Sequence, residues 1–150
     1  PEKFVQCMHC DVPLNAFALT HPKTTAMIGV CQNFLTEQTT LTDALTHELV
    51  HVYDNVRAHM DVRNCVHVAC SEVRAAMLSG ECSREKEVMR GVIPIGITDP
   101  GHFQKCVRRR ARNSVLSQQH CNDPKVCDEA LDLAFDRCFQ DRAPFYAIPE

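Results

Sequence analysis

His47 and His51 stand four residues apart, with Glu48 directly after the first, in the run Leu45-Thr46-His47-Glu48-Leu49-Val50-His51-Val52-Tyr53-Asp54. On a helix such residues project from one face, one turn above the other, so the two imidazoles can grip a single zinc ion. Glu48 beside them is a carboxylate able to take a proton from water, the arrangement that activates water for attack on a peptide carbonyl. A catalytic zinc of this kind takes a third protein ligand and keeps a fourth position for water. Glu72 is the expected third ligand. In an antiparallel helix pair turning near Asp61-Val62, residue 51 lies opposite residue 72. Asp54 is the alternative. Its short side chain sits a turn past His51, better placed to hold a ligand imidazole than to bind the ion.

These side chains need a helix, and the apolar pattern predicts one over residues 41–60. Leu41, Leu45, Leu49, Val52, Val56 and Met60 form one stripe, expected to pack, with the histidines on nearly the opposite side. Thr40 or Thr42 is the expected cap, with Asp43 in the first turn. A second helix is predicted over 65–78, stopped by Ser79-Gly80 and burying Val66, Ala69, Cys70, Val73, Ala76 and Met77. Residues 1–13 read as an irregular, cysteine-tethered arm. Two strands, 16–19 and 26–31, flank the polar turn 20–24 and make a hairpin whose edge either receives an extended substrate as an added strand or is an ordinary sheet edge.

Further on, a short helix is expected over 83–89, then a breaker-rich loop at 91–96 and a helix over 102–118. The last helix starts at Asn122-Asp123-Pro124, with Asp123 as cap, and buries Val126, Ala130, Leu133 and Ala134 with Phe135 or Cys138. The expected architecture is α+β and zincin-like: an N-terminal hairpin or small sheet, a metal-binding helix and several packed helices, disulfide-rich, in one domain over 1–150.

Ten cysteines are spread along the whole chain. The even number favours five disulfides formed in an oxidising compartment, with Cys106–Cys138 a candidate bridge between the last two long helices. The competing reading takes Cys7-Met8-His9-Cys10 as half of a zinc ribbon, but a second C-x-x-C is missing. The net charge of -3 makes no electrostatic case for a nucleic-acid partner. No apolar run reaches bilayer-spanning length. The basic run Arg108-Arg109-Arg110-Ala111-Arg112 suggests anionic lipid or acidic substrate, with a solvated helix face as its default reading. His59 is expected to pack on the metal helix. His67, Arg74 and Tyr53 can steady an oxyanion, though structural contacts are the expectation for each. The apolar tail 143–149 is expected to pack back on the body.

The blocks His47-Glu48-Leu49-Val50-His51-Val52-Tyr53-Asp54, Arg57-Ala58-His59, Ala69-Cys70-Ser71-Glu72-Val73-Arg74-Ala75-Ala76 and Leu78-Ser79-Gly80-Glu81-Cys82 together resemble one family. Cys31-Gln32-Asn33, Cys106-Val107-Arg108, Cys138-Phe139 and Pro144-Phe145 extend the match over nearly the whole chain. It is the family of mitochondrial metalloproteases that mature and assemble the ATP synthase at the inner membrane. The resemblance implies a zinc metalloendopeptidase, gluzincin-like, peripheral to the inner membrane on the intermembrane-space side. Its implied protein substrates are the precursor of ATP synthase subunit 6 and lipid-transfer proteins of that space. It implies His47 and His51 as ligands and Glu48 as catalytic base. Cys65, Cys121 and Cys127 fall outside the family's pattern. A second class of function, a non-proteolytic assembly chaperone with a structural metal site, is implied by the same resemblance; an intact Glu48 speaks for catalysis, because a structural site needs no base.

Overall fold

A computed structural model describes residues 4–19 and 26–147. The polar turn expected at 20–24, and the end of the tail from residue 148, lie outside the described residues. Two compact units divide the chain, Pro1–His59 and Met60–Glu150.

The first unit holds a three-stranded sheet and one helix. Strands β1 (Val5–Met8), β2 (Ala16–Leu19) and β3 (Met27–Cys31) lie in the order β1-β3-β2. The expected hairpin is present: β2 pairs antiparallel with β3, Phe17 facing Gly29. The Phe17 ring lies over Gly29, where a Cβ would clash with Phe17 Cζ, so glycine lets the aromatic close over the central strand. The arm expected at 1–13 is not wholly irregular, because Val5–Met8 pairs parallel with β3, Met8 opposite Cys31. A parallel partner lies far along the chain and leaves no hairpin signal in the sequence. The tether is as expected: Cys10 is bridged to Cys31, and Asn33 accepts from Cys10 N at 2.9 Å and donates to Cys10 O at 3.0 Å.

Helix α1 runs Gln38–Arg57 and packs on β2 and β3. It begins three residues earlier than the apolar pattern suggested, and the expected threonine cap is absent. Glu37 occupies the cap position without a side-chain bond, and Thr42 donates back to Gln38 O at 2.9 Å. Such hydroxyls satisfy themselves along the helix and do not cap it. The expected packed stripe is also corrected. Leu49 is 44% and Val56 82% exposed, while the buried positions are Val50 and Asp54, on the histidine side. Strands of four or five residues span roughly 13–17 Å, too short to cover a 20-residue helix of roughly 30 Å. His59, expected to pack, lies beyond the cap residue Ala58 and is exposed.

The second unit is helical. α2 (Cys65–Leu78) has the predicted bounds: Asn64 Oδ1 accepts from Val66 N at 3.0 Å, and Gly80 takes φ 81° after the cap Ser79. Its Ala69, Val73, Ala76 and Met77 are fully buried, as the periodicity required. α3 (Arg84–Met89) is capped by Ser83, and α4 (His102–Ser117) and α5 (Pro124–Phe139) pack against α2. Asp123 caps α5 from the residue before Pro124, as expected. The buried face of α5 is Cys127, Ala130, Leu131, Ala134 and Cys138; Leu133, expected inside, is 75% exposed. Val126 is likewise exposed, because the face follows the cysteine that must meet α2.

Four disulfides close in place of the expected five: Cys10–Cys31, Cys65–Cys121, Cys70–Cys138 and Cys82–Cys106. Cys7 and Cys127 are free thiols, so Cys7-x-x-Cys10 is not half of a metal ribbon. The candidate Cys106–Cys138 bridge is replaced because α2 packs on both α4 and α5 and its Cys70 meets Cys138. Burial pushes the Cys127 thiol above its ordinary range.

The basic run is not an unpaired solvated face. Arg108 pairs with Asp132, Arg109 with Glu87 at 2.7 Å, Arg110 with Glu81 at 2.5 Å and Arg112 with Asp128 at 2.6 Å. The hydrogen bond from Arg112 holds the Asp128 carboxyl below the usual range. Each guanidinium is answered from α3, α5 or the turn after α2, so the charges knit the helices together. Among the described residues the tail meets the body at its start, where the buried Arg74 donates to Asp141 O and Ala143 O and pairs with Asp141 Oδ1 at 2.8 Å, whereas Tyr146 is fully exposed.

Candidate functional site

In the first unit, consecutive turns of α1 carry the two histidines. Their ring centroids lie 4.8 Å apart with planes at 77°, and both side chains are half-buried. That separation is within reach of one shared cation, and partial burial is what a site needs that must admit both an ion and a substrate. Glu48, also half-buried, follows His47 directly. Helix geometry turns it about 100° from His47, on the flank of the pair and not between the rings. Asn55 Nδ2 donates to His51 O at 2.9 Å, a bond along the helix that ties the turn bearing His51.

Asp54, the alternative ligand, is buried at 3% exposure and accepts from Arg57 Nε at 3.0 Å. The Arg57 guanidinium stands 5.2 Å over the Tyr53 ring. Arg57 thus organises two residues that the sequence reading weighed separately. The i, i+3 spacing of Asp54 and Arg57 was the signal for it.

In the second unit, Glu72 sits in the latter half of α2 at 6% exposure, within a run from Ser71 to Cys82 that is buried throughout. Removing a carboxylate from water is costly unless hydrogen bonds, a cation or a metal compensates, so its position is that of a functional or tightly paired group. Of the residues considered for the oxyanion, two have structural posts. His67 Nδ1 accepts from Asp61 N at 3.3 Å in the turn before α2, and Arg74 clamps the chain after α5. Tyr53 carries the arginine described above.

A profile of the peptidase M76 family matches residues 1–146. The chain is 38% identical over 149 residues to a mitochondrial inner membrane protease ATP23 homolog of Xenopus laevis, covering 99% of this chain and 60% of that protein. It is 41% identical over 145 residues to the mitochondrial inner membrane protease ATP23 of Yarrowia lipolytica, covering 96% and 55% respectively. The human homolog is 43% identical over 126 residues, 83% of this chain and 49% of that protein. The chain therefore spans about half the length of the curated relatives it matches. No solved structure matches it.

Proposed function

Since the chain belongs to the peptidase M76 family, we propose that it is a zinc-dependent metalloendopeptidase of the H-E-x-x-H, gluzincin-like type, in a zincin-like fold formed as one domain over 1–150. His47, His51 and Glu72 are the proposed ligands and Glu48 the catalytic base. The observation that carries the reading is the pair of imidazoles stacked on consecutive turns with Glu48 between them in sequence. Glu72 enters the set as the buried carboxylate of the helix that follows, two imidazoles and one carboxylate being a recognised catalytic combination. Two neutral imidazoles and one carboxylate are a donor set that suits zinc in a hydrolytic site.

Zinc, when bound there, supplies Lewis acidity and brings the acidity of a water toward neutrality. The rest is work for the chain. Glu48 accepts the proton of the attacking water through a carboxylate oxygen, holds it while the peptide carbon becomes tetrahedral, and passes it to the leaving amine. Asn55, bonded to the His51 carbonyl, holds the turn that carries His51. Partial burial of the histidine face limits competing bulk water.

The proposed location is the mitochondrial inner membrane, peripheral, on the intermembrane-space side. The names of the relatives support the membrane, and four disulfides support an oxidising compartment. No helix among the described residues is long and apolar enough to cross a bilayer. The proposed substrates, by the family resemblance, are the precursor of an ATP synthase subunit and lipid-transfer proteins of that space. The test is Glu48→Gln. The variant should keep its zinc, measured by metal analysis, and its helical circular dichroism, while cleavage of an unstructured protein substrate falls to background. Retained hydrolysis would overturn the assignment of the base. Absence of zinc from the wild-type protein under all conditions would overturn the metal.

A further inference from the structure

Between α3 and α4 the chain turns its apolar side chains outward. Ile95 is 90% and Met89 76% exposed, and Val92 and Ile97 are about half exposed. Soluble surfaces scatter such residues singly; a cluster on one loop needs a partner. The loop is nevertheless built and held. Ile93 is buried beneath it, Val92 N and Ile93 N both donate to Glu87 O, Ile97 N donates to Pro94 O, and Arg84 Nη2 donates to Ile97 O at 2.8 Å. Gly91 and Gly96 take φ of 71° and 84°, and a Cβ at either would meet nothing within 4 Å, so the tip stands in open space.

We propose that the loop Met89–Ile97 is the element by which this chain enters the interfacial layer of an anionic membrane. The inference rests on the membrane location proposed above and names the segment that makes the contact. Two features favour lipid over protein. The exposed side chains are aliphatic and stand on a convex tip, and a bilayer accepts any aliphatic surface, whereas protein interfaces draw their energy from Trp, Tyr and Arg seated in pockets. Charge is the second. The carboxylate of Glu87 is shared by two guanidinium groups, Arg90 at 3.1 Å and Arg109 at 2.7 Å, so the trio keeps a positive charge. Arg84, bonded to a carbonyl of the loop, adds another cation beside the apolar tip. Aliphatic residues bordered by arginine are the composition that penetrates between acyl chains while the cations meet phosphate.

The chain contains no tryptophan, so Ile95→Trp introduces a single reporter at the tip, and Leu133→Trp places one on exposed α5 as a control. Each 150-residue variant is mixed with vesicles of phosphatidylcholine alone or with added phosphatidylglycerol, and followed by emission, quenching by brominated lipid, and flotation. With the mixed vesicles, the tip reporter should shift to the blue and be quenched while the control stays unchanged. The triple variant Val92→Ser/Ile95→Ser/Ile97→Ser should float about tenfold less than wild type or worse, with an unaltered melting curve. If the protein floats but the tip reporter remains in water, or the triple variant floats normally, the loop assignment falls and the membrane location stands. If wild type floats with neither vesicle, both fall, and the peptidase reading is still decided separately by zinc and Glu48→Gln. Loss of self-association in the triple variant without lipid binding by wild type would replace the bilayer by a protein contact and overturn the proposal.

Discussion

The Cys70–Cys138 bridge, which ties α2 to α5 two residues before Glu72, offers the most quantitative test of the second unit. Alone it closes a separation of 68 residues, for which chain entropy contributes about 4 kcal/mol. It is not alone. The shorter covalent route from Cys70 runs five residues back to Cys65 (70 less 65), across to Cys121, and seventeen on to Cys138 (138 less 121). With that bridge intact, Cys70→Ala/Cys138→Ala frees only a loop of about 22 residues and should cost about 3 kcal/mol. In a chain already lacking Cys65–Cys121, the same double substitution opens a longer path by way of Cys82–Cys106 and should cost about 4 kcal/mol. Urea unfolding of the four proteins, compared at constant m value, measures both quantities. A loss below about 1 kcal/mol, or an equal loss in the two backgrounds, would refute the interlocked connectivity.

Two other substitutions or labels probe the rest of the fold. Gly29→Ala drives a methyl group into the Phe17 ring and should destabilise the first unit by about 1–3 kcal/mol, read from its thermal melt; Phe17→Ala in the same chain should relieve part of that strain. Thiol titration of the native protein should find Cys7 alone reactive, and denaturation without reductant should reveal Cys127 as well, since burial keeps that thiol protonated. Two thiols labelled at equal rates in the native protein would contradict the packing of α5.

Local rules were enough where the determinant was local. Asp123 marked a helix start, Gly80 marked a stop, and the apolar period of 65–78 named residues that fill the centre of the second unit. The four-residue spacing of His47 and His51 was enough to put both rings on consecutive turns of α1. What escaped depended on partners distant in sequence. Val5–Met8 becomes a strand only because β3 presents an edge, and Cys138 joins Cys70 only because α4 and α5 both pack on α2. On α1 the apolar stripe was expected to pack, but period says nothing about what lies opposite it, and Leu49 and Val56 face out. The basic run misled for the same reason. Its partners Glu81, Glu87, Asp128 and Asp132 sit on other elements, although one clue was available: Arg108 and Arg112 answer Asp132 and Asp128 in reverse order, as antiparallel helices require.

X-ray absorption at the zinc edge, recorded on the purified chain, tests the central claim most directly. The account predicts two imidazole nitrogens and carboxylate or water oxygens at about 2.0–2.2 Å, with the imidazole signal lost in His47→Ala/His51→Ala and the oxygen shell altered in Glu72→Ala. A sulfur shell at about 2.3 Å, or a zinc site untouched by these substitutions, would contradict it.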